Sequence, residues 1–183
     1  MQDRDGVWDL GPRALDVAVV AFPKQAIRPG MAGATIPNLT LVRRRGTFAV
    51  CQLNPSCPEH VSVAASLFTE AAKDHKIQTV FLSMCPTEIS AIVGSDKLRR
   101  VHAATCAQNA VSVDDGWVCF VVEGSMAFNV LGVMAQLSST LAEAGISLLA
   151  QSTYDTDYIF VKAEKANAAH EAFSEKGVTI KYP

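Results

Sequence analysis

Apolar residues recur every three or four positions between residues 130 and 144, which predicts an amphipathic helix packed on a sheet. The stripe consists of Val130, Val133, Met134, Leu137, Leu141 and Ala144. Gly145 follows the last of these residues, and glycine readily adopts the left-handed conformation that ends many helices. We therefore expect this helix to end at Gly145.

Two short apolar stretches after this helix predict a β-hairpin. Residues 147–152 include Leu148 and Leu149, and residues 158–162 have the sequence YIFVK. The five residues 153–157, TYDTD, lie between them, and their Thr and Asp side chains can bond to neighbouring backbone. Residues 128–161 are thus predicted to form a helix followed by a hairpin.

The rest of the chain shows a similar order of elements. Strands are predicted at 39–43, 48–53, 79–84, 88–93, 111–113, 117–123 and 178–182. A helix is predicted from Pro58 to about His75, a shorter one over 96–107, and a last one that ends at Gly177. The apolar face of the helix from Pro58 is predicted to contain Val61, Ala64, Ala65, Phe68, Ala71 and Ala72. The tripeptide Asp114-Asp115-Gly116 predicts a turn.

The repeated order of strand, helix, strand, strand and helix indicates a tandem repeat of about 70 residues. Right-handed crossovers place both helices of each unit on one face of a four-stranded antiparallel sheet. The predicted fold class is therefore α+β, with two tandem ferredoxin-like βαββαβ units, over 38–110 and 111–183. The other sheet face, or an edge, is left to pair with the other repeat or with a second chain. Residues 1–37 form an N-terminal extension rich in Gly and Pro, in which residues 15–22, LDVAVVAF, could add a strand.

Composition restricts the classes of function. The chain has 183 residues, of which 49% are hydrophobic and 19% charged, as expected for a globular, soluble protein. A formal net charge of -2 argues against a general nucleic-acid surface, and no apolar run approaches the length of about 20 residues that spans a membrane. Arg43-Arg44-Arg45 is the one basic cluster, and because three charges make a weak electrostatic footprint, a solvated edge beside Gly46 is favoured over a phosphate-binding role. The N-terminus lacks the features of a secretion signal, which favours a cytoplasmic protein.

The cysteines and histidines predict neither a disulfide framework nor a metal site. The five cysteines form no C-x-x-C pair, and the four histidines are far apart in sequence. Cys51, Cys85 and Cys119 lie in apolar runs and are predicted to be core residues. We expect no cofactor.

The segment GVMAQLSSTLAEAGISLLAQSTYDTDYIFV, Gly132–Val161, closely resembles the ACT domain of the arginine-sensor-like (CASTOR-type) group. The shared pattern is a glycine at the helix start, then L-A-x-A-G-I, then S-T-Y-x-T-D-Y. DDGWVCFVVEG resembles the lead-in strand of that group, and FAVCQL and TVFLSMCPTEISAIV are similar to its weaker N-terminal half. The resemblance covers residues 38–183 and implies a non-catalytic protein that works as a homodimer.

ACT domains bind amino acids or other small metabolites, mostly where two domains meet, and convert occupancy into a change of partner contact or enzyme activity. The ligand contacts of the group correspond to Thr153, Tyr154 and Asp157. The predicted helix start contains Asn129 and Gly132, where backbone N–H groups suit a carboxylate and a missing side chain lets a ligand approach. Val130 stands where animal arginine sensors have an acidic residue, which favours a smaller or more apolar metabolite over a guanidinium ligand.

Other interpretations of the same residues stay open. An enzyme could use Asp157, Asp155 and Tyr154 for acid–base chemistry on a small biosynthetic intermediate, with His102 or His170 as more distant candidates. A pure interaction module could recruit a protein partner through residues 15–22 or an exposed sheet edge. Thr153 and Asp157 could also serve only to stabilise the turn, Tyr154 only to pack, and Gly132 only to allow close packing.

Overall fold

The computed structural model of the protein describes residues 39–73, 81–103, 111–124 and 132–183. Asn129, Val130 and the candidate strand at 15–22 lie outside these ranges, so the predictions made for them are not tested. None of the helices in the described part is long and apolar enough to span a membrane.

The first half of the described chain contains four strands and two helices. In chain order they are β1 (Thr40–Arg43), β2 (Phe48–Leu53), α1 (Pro58–Lys73), β3 (Phe81–Met84), β4 (Ile89–Gly94) and α2 (Leu98–Ala103). A short 3-10 helix, Ser95–Lys97, leads into α2. This order of elements agrees with the prediction.

The order strand, helix, strand, strand, helix, which begins at β2 in the first half, occurs again in the second half and is followed there by a last strand. Its elements are β5 (Ser112–Val122), α3 (Val133–Glu143), β6 (Leu149–Ser152), β7 (Asp157–Lys162), α4 (Ala166–Glu175) and β8 (Thr179–Lys181). Both Gly145, with φ of 68°, and Gly177, with φ of 78°, are left-handed. The amide that follows each glycine bonds back into its helix, from Ile146 to the Leu141 carbonyl at 2.8 Å and from Val178 to the Phe173 carbonyl at 3.0 Å. The predicted ends of these two helices are confirmed.

The strands form one eight-stranded sheet in which β5 is the central element. The N-terminal half of β5 pairs with β2, and the order then continues through β4 to β3. The other half pairs with β7, which pairs with β6. Because each half of β5 belongs to a different repeat, this strand joins the two units.

β1 changes the predicted arrangement of the second unit. It pairs antiparallel with β5 and parallel with β8, and therefore lies between them. The expected four-stranded sheet thus gains a fifth strand from the N-terminal part of the chain. Leu41 of β1 is fully buried in the core of the second unit.

Helices cover one face of each half-sheet. The core beneath α1 and α2 contains Cys51 and Leu67, and the core beneath α3 and α4 contains Phe120 and Leu137. A third cluster joins the uncovered faces, with Phe48 and Ile92 of the first unit packed near Trp117 and Phe160 of the second. The rings of Phe48 and Phe160 meet edge to face at 5.5 Å. The α+β, ferredoxin-like class is confirmed, and the free sheet faces pair within one chain.

The turn predicted at Asp114-Asp115-Gly116 is wrong, because β5 continues through these residues. Its register with β2 shifts by one residue between the pairs Phe48–Trp117 and Val50–Asp114. Gly116 has φ of 80°, which glycine adopts without steric cost. The sequence therefore produces a bulge that bends the shared strand, rather than a chain reversal.

The apolar face predicted for α1 is also partly wrong. The buried residues are His60, Val63, Ala64 and Leu67, whereas Val61 is 42% and Phe68 57% exposed. Two apolar stripes fit the helical period, and contact with the sheet selects the one that contains Leu67. Cys85 likewise is exposed rather than in the core, while Cys51 and Cys119 are buried as predicted.

Candidate functional site

The loop between β6 and β7 is a tight turn held by Thr153 and Thr156. The amide of Thr153 donates to the Thr156 carbonyl at 2.9 Å, and the Thr153 hydroxyl donates to the same oxygen at 3.0 Å. The amide of Thr156 donates back to the Thr153 hydroxyl at 3.3 Å. The predicted hairpin is confirmed, and the Thr153 side chain stabilises its turn.

Two further contacts fix the ends of this turn. The Ser152 hydroxyl donates to Asp157 Oδ1 at 2.6 Å, directly across the last pair of the hairpin. The Thr156 hydroxyl donates to the carbonyl oxygen of Val122 at 2.7 Å. The turn is therefore attached to the C-terminal end of β5, from which the chain continues towards α3.

Tyr154 and Asp155 occupy the tip of the turn. Tyr154 is 79% exposed, and Asp155 is exposed as well. Asp157 is half-buried at the first position of β7. The three groups considered for acid–base chemistry thus lie on one turn, with two of them in solvent.

Gly132 lies immediately before α3 rather than within its first turn. Its φ is 86°, and its carbonyl oxygen accepts the first helical hydrogen bond, from Gln136 at 2.8 Å. A Cβ built at this position would meet no described atom within 4 Å. Among the described residues, no close contact requires a glycine here. A glycine is favoured at position 132 because the backbone there is left-handed, and this conformation lies immediately before the first residue of α3.

Sequence reasoning missed Ser152 and Thr156 as members of this site. Both belong to the STYDTD segment, in which hydroxyl and carboxylate residues alternate closely enough to bond one another. That density of short polar side chains was the available signal. The attachment of Thr156 to Val122 joins residues 34 positions apart, and no local pattern marks it.

Two cavities with described walls lie away from this turn. A groove of about 550 Å³ separates α1 from α2 and is lined by Pro58, Glu59, Ser62, Val63, Ser66, Arg100 and Ala103. Arg100 forms an ion pair with Glu70 there, which lowers the pKa of the Glu70 carboxyl. A second pocket, of about 240 Å³, is lined by Arg43, Arg44, Arg45, Gly46, Tyr182 and Pro183. Neither cavity contains any of the site residues predicted from the sequence.

Among solved structures, the chain is similar in fold to a crystallised protein from Agobacterium tumefaciens. The TM-score is 0.61 at 22% identity, and the match covers 80% of this chain and 95% of the other. It also resembles the regulatory subunit of aspartate kinase from Thermus flavus, with a TM-score of 0.55 at 14% identity and coverage of 75% and 96%. The corresponding subunit from Thermus thermophilus, in a ligand-free form, gives 0.51 at 15% identity, with coverage of 72% and 93%.

A search of curated proteins finds no match for this sequence. One family model, described as an ACT domain, matches residues 112–175. These residues contain β5, α3, the β6–β7 hairpin and all of α4. The C-terminal unit therefore matches the ACT domain in sequence and has an ACT-like α+β fold.

Proposed function

We propose that this protein is a non-catalytic regulatory protein that binds a small metabolite, an amino acid or a related compound, through its C-terminal ACT unit. The match of residues 112–175 to the ACT domain is the observation that carries this proposal. The fold similarity to regulatory subunits of aspartate kinase, over 96% of the subunit from Thermus flavus, supports a regulatory role. The CASTOR-type resemblance extends the proposal to a tandem ACT protein of the cytoplasm, with units at 38–110 and 111–183, the second of which also includes β1 in its sheet.

The proposed ligand contacts lie on the β6–β7 turn and at the start of α3. Asp157 accepts one bond from Ser152, and a carboxylate has further lone pairs that can accept from an ammonium group. Thr153 and the exposed Tyr154 belong to the same turn. The first residues of α3, directly after Gly132, would present backbone N–H groups and the positive end of the helix dipole to a carboxylate, and Asn129, Val130 and Gly132 are proposed as further ligand contacts.

The ligand is proposed to be smaller or more apolar than arginine. A guanidinium needs an anionic partner at close range, and Val130 supplies none at the position that is acidic in animal arginine sensors. Amino acids with short aliphatic or hydroxyl side chains meet this requirement.

Calorimetry of the full chain against each standard amino acid tests the proposal. A saturable heat is expected with at least one of them, and Asp157→Asn should weaken binding by about tenfold or more, because it removes the negative charge that faces the ammonium group. Glu164→Gln is the matched control, since Glu164 is an exposed acid next to α4. Absence of both heat and a melting shift with every amino acid would refute this function.

We also propose that two copies of the chain pair through β3 and the exposed stripe of α1. β3 has a described partner on one edge only, β4, and Met84 in it is 74% exposed. The stripe, Val61, Ala65, Phe68 and Ala72, follows helical spacing and faces solvent. α1 also contacts β3. A two-fold axis beside β3 would place the β3 strands of the two copies edge to edge, so that one sheet continues into the other. The same axis would bring the two α1 stripes together, so that each surface contacts the same surface of the second copy.

Sedimentation velocity of the full chain tests this pairing. The unaltered protein is expected to be a dimer, and Phe68→Ser or Met84→Lys is expected to shift it to a monomer without loss of secondary structure. Glu171→Ala, at an exposed position of α4, should stay dimeric. A monomeric unaltered protein, or dimers that persist in both interface variants, would rule out this arrangement.

A further inference from the structure

The pocket of about 240 Å³ lies where the ends of β1 and β8 meet the connection between β1 and β2. Three consecutive arginines line it, together with Gly46, Tyr182 and Pro183. Consecutive residues of a regular strand would point to opposite faces of the sheet. Here the strand ends at Arg43, and Gly46, with φ of 75°, turns the chain, so that all three guanidinium-bearing residues border one space.

The backbone of this connection is held by the central strand. The amide of Arg44 donates to the carbonyl oxygen of Cys119 in β5 at 2.8 Å. This bond fixes the path of the chain directly after β1. The backbone of the arginine cluster is therefore anchored to the central strand of the sheet.

The positive charges of Arg43 and Arg44 are not neutralised by any described acidic side chain. Arg45 donates from Nε and Nη2 to the Pro183 oxygen, at 2.9 and 2.6 Å, so its fork already holds one oxygen. The Arg43 guanidinium lies 5.7 Å from the centre of the Tyr182 ring. Across the described parts of the chain, neither Arg43 nor Arg44 forms an ion pair.

The aromatic wall of the pocket is fixed by α4. The Tyr182 hydroxyl lies 3.0 Å from His170 Nδ1, and the two rings lie 5.9 Å apart. The carboxylate of Glu123, whose amide donates to Thr40 of β1, accepts from Lys181 at 2.6 and 2.9 Å. Tyr182 therefore positions Arg43 by stacking, while Glu123 is neutralised elsewhere.

We propose that this pocket binds the oxyanion group of a small ligand, a phosphate or a carboxylate, between Arg43 and Arg44. Guanidinium forks match the geometry of such oxygens and stay charged at every physiological pH. Within the chain, the fork of Arg45 binds a main-chain oxygen, that of Pro183. The volume is below the range of about 300–1,000 Å³ typical of drug-sized ligands, so it suits one compact anionic group.

This site is separate from the proposed metabolite site. It contains none of the turn residues and draws its charge from the connection that follows β1. An anion bound there would bridge the β1–β2 connection and the end of β8, and would thus stabilise the insertion of β1 into the second unit. Binding should consequently raise the melting temperature of the full chain.

Titration calorimetry and thermal unfolding of the full chain test this inference, with inorganic phosphate and acetate as probes at constant ionic strength set by chloride. Saturable binding with a raised melting temperature is expected for at least one probe. Tighter binding of phosphate identifies a phosphate group as the natural ligand group, and tighter binding of acetate identifies a carboxylate. Arg44→Gln should weaken binding by about tenfold or more, the value of a lost bond to a charged group.

Three variants make the test specific. Arg43→Gln should weaken binding as Arg44→Gln does. Arg44→Lys keeps the charge but loses the fork, and should recover only part of the affinity. Arg99→Gln removes an exposed arginine from α2 and should bind as the unaltered chain does.

The inference is overturned by a melting shift that chloride reproduces, by absence of saturable binding, or by an equal loss of binding in Arg99→Gln. If Arg44→Gln loses anion binding but keeps amino acid binding, the loss lies in the arginine pocket and not in the proposed metabolite site.

Discussion

The hydroxyl of Thr156 donates a hydrogen bond of 2.7 Å to the carbonyl oxygen of Val122, 34 residues earlier in the chain. Val122 is the last residue of β5, and Thr156 is the last residue of the β6–β7 turn. This bond attaches the β6–β7 turn, which carries proposed ligand contacts, to the C-terminal end of β5. The position of the turn therefore depends on a side chain that is not itself a proposed ligand contact.

Replacing Thr156 by Val should lower the free energy of unfolding by about 1–3 kcal/mol, because the Val122 carbonyl loses its donor while the side-chain shape is kept. Urea unfolding monitored by circular dichroism measures this change. Thr179→Val is the matched control, since Thr179 is exposed in β8, and its effect should stay within about 0.5 kcal/mol. Equal effects in the two variants would show that the bond to Val122 does not hold the turn.

The turn and the helix ends were predicted from the sequence because short-range chemistry determines them. Gly145 and Gly177 end their helices through bonds within six residues, and Thr153 closes its turn through Thr156. The sequence around Gly116 is compatible with either a turn or a bulge, and only the pairing of β5 with β2 determines which of the two forms. Likewise, the sheet decides whether Leu67 or Phe68 is buried. The position of β1 between β5 and β8 depends entirely on contacts distant in sequence.

Gly132 offers a test of why a glycine precedes α3. Gly132→Ala should cost about 1–2 kcal/mol of stability, since a Cβ is disfavoured at φ of 86° although it meets no described atom. Gly132→Asn should cost less, because asparagine tolerates the left-handed region better. Thermal and urea unfolding of both variants measure the difference. An Asn variant as unstable as the Ala variant would contradict the backbone explanation.

The cysteines should differ sharply in reactivity towards an alkylating reagent. Burial raises the pKa of Cys51 and of Cys119 to about 12, whereas a hydrogen bond with Thr87 lowers the pKa of the exposed Cys85. The thiolate is the nucleophile, so a lowered pKa makes Cys85 reactive at a lower pH, and the raised values leave Cys51 and Cys119 protonated.

Peptide mapping after brief alkylation across a pH series measures these rates. Cys85 should react in the folded protein, with its rate rising through a pH below that of an ordinary thiol, and Cys51 and Cys119 should react only after unfolding. Thr87→Ala should move the Cys85 profile to higher pH, while Thr69→Ala on α1 should not. An unchanged profile in Thr87→Ala would assign the shift to another cause.

The two faces of α1 can be separated with adjacent substitutions. Leu67 is 2% exposed in the core of the first unit, and Leu67→Ala should cost about 2–5 kcal/mol through lost burial and the cavity that remains. Phe68 is 57% exposed, so Phe68→Ala should change the stability of the monomer by no more than about 0.5 kcal/mol. Urea unfolding in dilute protein measures the stability of the monomer separately from any effect on assembly. A large loss from Phe68→Ala under these conditions would mean that this ring packs within its own chain, which would remove the apolar stripe from the proposed dimer interface.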